Sequence, residues 1–112
     1  MIRWAIAPGG SLGGSLRVPG DKSISHRALM LAAIAEGETR IRDMLAGEDV
    51  LATLAAMRAL GVTVVRESDA LTRVQGAGLT GLRDPQRALE LGNSGTSMRL
   101  LSGLLAGAGV TA

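Results

Sequence analysis

Apolar and polar residues follow two different periods along the chain, and the change of period separates predicted helices from predicted strands. Stretches rich in Ala, Leu and Met with apolar residues at helical spacing predict helices over residues 24–35, 49–60 and 94–107. The first of these helices is apolar on more than one face, so we expect it to be largely buried. Short alternating or β-branched segments predict strands over residues 2–7, 15–18, 39–43, 62–66 and 71–75.

Turn residues separate these elements and set their order. Gly37 is placed to close the first helix and Gly61 the second, because glycine readily ends a helix. Residues 67–70 predict a hairpin loop between the last two strands, and Pro19-Gly20 breaks the chain before the first helix. The resulting order β-α-β-α-β-β, followed by a loop and a further helix, predicts an α/β layer structure.

Composition excludes several classes of chemistry. The 112 residues include no cysteine and one histidine, so a disulfide framework, a thiol nucleophile and a cysteine- or histidine-based metal site are excluded. Trp4 is the only aromatic residue, which leaves no ring surface for stacking on single-stranded nucleic acid. The net charge of +2 is spread over isolated basic residues, so we expect no nucleic-acid partner.

The ends of the chain and its apolar runs indicate the cellular compartment to expect. No apolar run approaches the roughly 18 residues of a membrane span, and the first residues lack the apolar core of a signal peptide. We therefore expect no membrane partner and take the cytoplasm as the default compartment. The last residues, LLAGAGVTA, continue an apolar helical pattern without a polar tail, and we expect the chain to be part of a longer protein.

The first segment with candidate chemistry is PGDKSISHR, which opens the first predicted helix. Lys22, Ser23 and Arg27 crowd its first turn, where free amide groups and the helix dipole favour an anion. The alternative is an ordinary capped helix start with solvated charges. The spacing of a nucleotide-binding P-loop is absent. His26 has no partner histidine, cysteine or aspartate at helical spacing, and we interpret it as a hydrogen-bonded, partly buried helix residue.

The second segment is LGNSGTSMR, another small-residue turn that leads into a helix. Gly92 and Gly95 would let the backbone approach a ligand closely. The alternative is an N-capped buried helix with Asn93 or Ser94 as the cap. Hydrogen-bond donors are offered by the side chains of Asn93, Ser94, Thr96 and Ser97. Two helix starts of this kind in one small domain together favour an anionic ligand over two unrelated caps.

These two segments, PGDKSISHRALMLAAIAEGETRI and LGNSGTSMRLLSGLLAG, resemble the 5-enolpyruvylshikimate-3-phosphate synthase family, as does the linking GEDVLATLAAMRALGV. The likeness extends over about residues 12–107. It implies transfer of the enolpyruvyl group of phosphoenolpyruvate to the 5-hydroxyl of shikimate 3-phosphate, with release of phosphate, on the way to chorismate and the aromatic amino acids. One alternative is the related UDP-N-acetylglucosamine enolpyruvyl transferase, which has a Lys-Asn pair where this chain has K-S-x-S-H-R. Another is a non-catalytic fragment that only binds an anion.

The resemblance also implies roles for individual residues. Lys22 would contact both substrates and stabilise charge in catalysis. Shikimate 3-phosphate would be bound by Ser23 and Arg27, and phosphoenolpyruvate by Asn93 and Gly95. Thr96 and Arg99 would contact these binding residues and not the substrates. The family usually carries Ala at the positions of Ser94 and Ser97, so this chain departs from the pattern there. No metal or cofactor is implied, and glyphosate inhibits family members at the phosphoenolpyruvate site.

The fold implied by the resemblance has two similar domains, each built from β-α-β-α-β-β units with helices inside and sheets outside. Substrates would bind between the domains. Residues 1–19 would form strands of the second, lower domain, and residues 20–112 the first part of the upper domain. The general acid and base carboxylates of the family lie in later sequence, so this N-terminal part would carry half of the active site. We expect the isolated chain to be inactive and the full-length protein to be a monomer.

Overall fold

Three helices and three strands are present in the computed structural model, which describes all residues from 1 to 112. Every element predicted after residue 20 is present with the predicted type. In chain order these elements are α1 (Lys22–Ile34), β1 (Glu36–Arg42), α2 (Glu48–Ala59), β2 (Thr63–Ser68), β3 (Leu71–Ala77) and α3 (Gly95–Ala108).

The three strands form one antiparallel sheet in the order β1-β3-β2. The strand β3 is last in sequence but central in the sheet, so that Val74 pairs with Thr39 of β1 on one side and with Val64 of β2 on the other. A tight turn at residues 69–70 joins β2 to β3, as the hairpin prediction required. The register therefore places Val64 and Val74 side by side, and both are buried.

The two faces of this sheet differ in polarity. On the outer face, Arg73 donates to Glu38 at 3.2 Å and to Glu67 at 2.6 Å, which ties the central strand to both neighbours. A hydrogen bond from Arg40 is the main cause that lowers the pKa of Glu38, and Arg73 adds to it. Exposed pairs of this kind contribute little stability, so the sheet depends on its other face, which the helices cover.

The hydrophobic core lies between that inner face and the helices. The helix α1 packs on β3 and beside α2, and α3 reaches the same core through Leu101 and Leu105. Val74 at the centre of the sheet has no exposed surface. The largest apolar side chains that are fully buried are Leu29, Met57, Leu60, Leu101, Val50 and Val74. The packing thus fixes the three helices relative to one another. None of the helices has the length and apolar character needed to cross a membrane.

The prediction that Gly37 closes the first helix is wrong. The cap is Ala35, whose extended backbone donates its amide to Leu31 at 3.0 Å. Gly37 lies inside β1 with a φ of 84°, where other residues are strained. The chain passes from helix to strand within one residue, so the left-handed position falls in the strand instead of at the helix end.

The two strands predicted near the N-terminus are absent from this structure. Residues 1–19 have no regular secondary structure, and side chains such as Trp4 and Ile6 are almost fully exposed. A strand needs a partner for its backbone groups, and this segment makes no backbone hydrogen bond to the sheet. Its one recorded ion pair joins Arg17 to Asp43 at 3.2 Å. The assignment of this segment to a second domain stays a prediction.

Gly20 marks the point where the extended segment meets the folded part. A side-chain carbon on Gly20 would overlap the carbonyl oxygen of Asp43 and lie 2.8 Å from the amide nitrogen of Leu45. Asp43 itself has a φ of 52°, which is unusual for a residue other than glycine. This close backbone contact fixes the position at which α1 begins.

Candidate functional site

The start of α1 is built by an aspartate cap and a serine. The side chain of Asp21 accepts from the amide of Ile24 at 2.8 Å, which satisfies one of the free donors of the first turn. The hydroxyl of Ser25 donates to the carbonyl of Asp21 at 2.6 Å and accepts from the amide of Leu45 at 3.0 Å. The loop before α2 is thereby tied to the first turn of α1.

Lys22, the first residue of α1, forms an ion pair with Asp49, the second residue of α2. The Lys22 side chain is half exposed and that of Asp49 is about one-quarter exposed. Sequence analysis did not single out Asp49, because its partner lies 27 residues away. A shallow cavity beside the pair is lined by Lys22, Leu45, Gly47, Glu48, Asp49 and Val50.

One turn deeper, a second contact joins the same two helices. His26 Nδ1 lies 2.8 Å from Thr53 Oγ1, and neither residue has exposed surface. The second contact lies four residues after the first on each helix, since His26 follows Lys22 by four residues and Thr53 follows Asp49 by four. The helices α1 and α2 therefore run parallel, with their N-termini at the same end.

The helix α3 joins this end through two serines. Ser94 is its N-cap, as one of the alternatives predicted, and the Ser94 hydroxyl accepts from the amide of Ser97 at 3.2 Å. Ser97 Oγ lies 2.9 Å from Thr53 Oγ1 and 3.3 Å from His26 Nδ1. The two segments with candidate chemistry, 71 residues apart at this contact, are thus brought together in space.

The surroundings of His26 favour its neutral imidazole. Burial lowers the pKa of His26 from the usual 6.5, and the positive charges of Lys22 and Arg27 lower it further, while Asp49 acts in the opposite direction. His26 is a hydrogen-bonded helix residue, as predicted, but it is completely and not partly buried. Sequence analysis missed that it joins all three helix starts.

The other predicted site residues lie on the open side of these helix starts. Ser23, Arg27, Asn93, Gly95 and Arg99 are exposed, and Thr96 is half-buried. Arg27 donates to the carbonyl of Ser23 at 3.1 Å on its own helix. An added side-chain carbon on Gly95 would meet no atom within 4 Å. The buried residues, and not the predicted ligands themselves, make the contacts between the two segments.

This arrangement suits an anion with more than one negative group. The N-termini of α1, α2 and α3 meet at one end, and each carries a partial positive charge and free amide donors. At α3 the amides of Ser97 and Met98 are bonded to Ser94, which leaves those of Gly95 and Thr96 for a ligand. Two basic side chains lie at the same end, Lys22, which is paired with Asp49, and Arg27, which has no acidic partner. No group of three or more acidic or histidine side chains is arranged to bind a metal.

Comparison with known proteins identifies the family. The sequence model described as EPSP synthase (3-phosphoshikimate 1-carboxyvinyltransferase) matches residues 6–112. The chain belongs to the EPSP synthase family. The family resemblance noted from the two segments is thereby confirmed.

Relatives in the EPSP synthase family cover nearly the whole chain. The 3-phosphoshikimate 1-carboxyvinyltransferase of Halorhodospira halophila is 62% identical over 104 residues, which are 93% of this chain and 23% of the relative. That of Alkalilimnicola ehrlichii is 64% identical over 106 residues, 95% of this chain and 24% of the relative. The chain spans about a quarter of the length of these curated relatives.

A solved structure supports the fold as well. The EPSP synthase from Acinetobacter baumannii is 53% identical, with a TM-score of 0.77 over 82% of this chain and 21% of its own. The expected α/β fold, seen as part of the larger enolpyruvyl transferase architecture, is confirmed by this match. The division of the chain between two domains stays a prediction.

Proposed function

We propose that the protein to which this chain belongs transfers the enolpyruvyl group of phosphoenolpyruvate to the 5-hydroxyl of shikimate 3-phosphate and releases inorganic phosphate. The observation that carries the proposal is the position of Lys22, in a chain of this family, where the starts of three helices converge. Both substrates carry several negative charges, and fixed cations and helix N-termini stabilise charge that shifts between a carboxylate and a phosphate.

The start of α1 is the proposed site for shikimate 3-phosphate. Lys22 keeps two of its three N–H donors free beside the Asp49 contact, so it can contact both substrates while Asp49 holds its position. Ser23 and Arg27 lie one turn apart on the exposed surface of the same helix. The planar guanidinium of Arg27 is suited to two parallel hydrogen bonds to phosphate.

The start of α3 is the proposed site for phosphoenolpyruvate. The free amides of Gly95 and Thr96 and the exposed side chain of Asn93 offer donors to a small anion. Open space at Gly95 allows the anion to approach the backbone closely. The side chains of Thr96 and Arg99 would support this helix start without contacting the substrate. Glyphosate is expected to compete for the same position.

The chain supplies binding groups and charge at this end, where two of its carboxylates are already engaged. Asp49 is engaged with Lys22 and Asp21 caps α1. The family resemblance assigns the general acid and base carboxylates to the part of the protein outside this chain, so we expect the 112-residue chain alone to be inactive. In line with the same resemblance, we also assign the reaction to the cytoplasm and expect the full-length protein to be a monomer without cofactor.

A grafted enzyme tests this proposal. In it, this chain replaces the matching 104 residues of the Halorhodospira halophila relative, to which it is 62% identical. We expect phosphate release from phosphoenolpyruvate that depends on shikimate 3-phosphate, and none from the chain alone. Release that depends instead on UDP-N-acetylglucosamine would support the related transferase. Binding of both substrates by a folded graft without turnover would support a module that only binds anions.

A further inference from the structure

Four buried polar side chains form a continuous chain of hydrogen bonds behind the proposed phosphoenolpyruvate site. His26, Thr53 and Ser97 have no exposed surface and Ser94 has 7%. The successive distances are 2.8 Å from His26 Nδ1 to Thr53 Oγ1, 2.9 Å to Ser97 Oγ and 2.8 Å to Ser94 Oγ. His26 Nε2 is buried without any partner. The placement of protons along this chain is therefore limited to few possibilities.

Four arrangements give each of the three contacts one proton, but two of them leave the hydroxyl proton of Thr53 or Ser97, both fully buried, without an acceptor. Two arrangements remain. In the first, His26 Nδ1–H donates to Thr53, Thr53 to Ser97 and Ser97 to Ser94. The Ser94 hydroxyl then keeps its own proton free to donate outside the chain. In the second, all donors are reversed, the Ser94 proton points inward, and His26 carries its proton on Nε2.

The unpartnered Nε2 atom decides between the two arrangements. The second would leave a buried N–H without an acceptor, which is rare in folded proteins, whereas the first leaves only an unused lone pair. A doubly protonated ring would also bury an N–H, and the neighbouring Lys22 and Arg27 disfavour its charge. The first arrangement is consequently the lower in energy.

We infer that His26 is a positioning residue whose Nδ1–H directs the hydroxyl chain, so that Ser94 donates outward to the anion at the start of α3. The inference rests on the proposed binding of phosphoenolpyruvate there. Ser94 would add a side-chain donor to the free amides of Gly95 and Thr96.

The first measurement reads the proton position directly. His26 is the only histidine, so two-bond proton–nitrogen NMR spectra of the 112-residue chain assign its ring nitrogens without ambiguity. We expect a protonated Nδ1 and an unprotonated Nε2 at pH 7.5. A folded chain with the proton on Nε2 would overturn the inference. If the spectrum equals that of the chain in urea, the chain is unfolded and the kinetic measurement decides.

The kinetic measurement uses variants of the grafted enzyme. The amide nitrogen of Asn can occupy the position of Nδ1, whereas Gln mimics Nε2, although Gln is nearer to His in size. We expect His26→Gln and Ser94→Ala each to raise the KM for phosphoenolpyruvate about tenfold, the scale of one hydrogen bond to a charged group, with an unchanged KM for shikimate 3-phosphate. His26→Asn should restore most of the affinity. Ser102→Ala, whose hydroxyl only bonds Met98 within α3, is the matched control.

The double variant separates positioning from packing. If His26 acts through the Ser94 hydroxyl, His26→Gln should add no further rise in KM once Ser94 is Ala. Equal effects of His26→Gln in both backgrounds, or equal effects on both substrates, would overturn the inference. A grafted enzyme that is folded but releases no phosphate would contradict the proposed function instead, and the NMR spectrum would still decide the position of the proton.

Discussion

Lys22 and Asp49 face each other across the first turns of two parallel helices, and the ammonium group donates to the carboxylate. Ion pairs at this degree of exposure contribute little to stability. The same pair holds a lysine with free donors at the end where three helix starts meet. We therefore expect loss of Lys22 to affect function far more than folding.

The first prediction concerns Lys22→Met in the grafted enzyme. We expect kcat/KM to fall at least a hundredfold, because a charge-assisted contact to a developing negative charge contributes about 3 kcal/mol. The thermal midpoint should change little, since the Lys22 side chain is half exposed. Phosphate release and calorimetry measure the two effects. Near-normal kcat/KM would reject the role of Lys22.

Arg27→Lys tests whether this guanidinium binds phosphate through two hydrogen bonds. We expect weaker binding of shikimate 3-phosphate, by about tenfold, with a smaller change for phosphoenolpyruvate, because lysine keeps the charge but loses the planar pair of donors. Titration calorimetry with each substrate gives the two constants. Arg87→Lys is the control, since Arg87 is exposed and lies outside both segments. The reverse order of effects would contradict the assignment.

Gly95→Ala should change ligand binding without harming the fold. An added methyl group meets no protein atom within 4 Å, but it enters the space proposed for the anion. We expect the inhibition constant for glyphosate to rise more than the KM for phosphoenolpyruvate, because glyphosate is one atom longer between its phosphorus and its carboxylate. Gly103→Ala is the matched control, since its methyl group also meets nothing within 4 Å. Unchanged binding of both ligands would show that Gly95 has no contact with them.

His26 should make stability depend on pH in a narrow window. Its pKa is lowered in the folded chain, so below pH 6.5 the unfolded chain binds more protons. Stability is therefore full above that pH and falls as the pH is lowered, by at most about 1.4 kcal/mol per pH unit, until the folded ring is also protonated. Urea midpoints between pH 7.5 and 5.5 measure this change. His26→Asn should remove it, and identical pH profiles for the two chains would refute it.

The elements after residue 20 could be predicted from the sequence because their signals are local. The apolar spacing of the helices and the Ser94 cap lie within a few residues of the structures they specify. The prediction of a strand at residues 2–7 was wrong for the opposite reason. A strand needs a hydrogen-bonded partner strand, and the apolar pattern does not identify that partner.

The candidate site shows the same limit. Lys22, Gly95 and their neighbours were identified from motifs that are continuous in sequence. The contacts of His26 with Thr53 and Ser97 join positions 27 and 71 residues apart, and no local pattern marks them. The sequence alone therefore does not show that the two segments meet where the helix starts converge.

The central place of β3 in the sheet determines the order in which the chain can assemble as it leaves the ribosome. The strand β1 pairs only with β3, from Glu36 opposite Ala77 to Arg42 opposite Leu71. Its pairing can begin only when residue 71 has emerged and is complete only with residue 77. The hairpin of β2 and β3 closes first, because a two-residue turn joins them and short loops close fastest. Of these three strands, the first to be synthesised is thus expected to be the last to be incorporated.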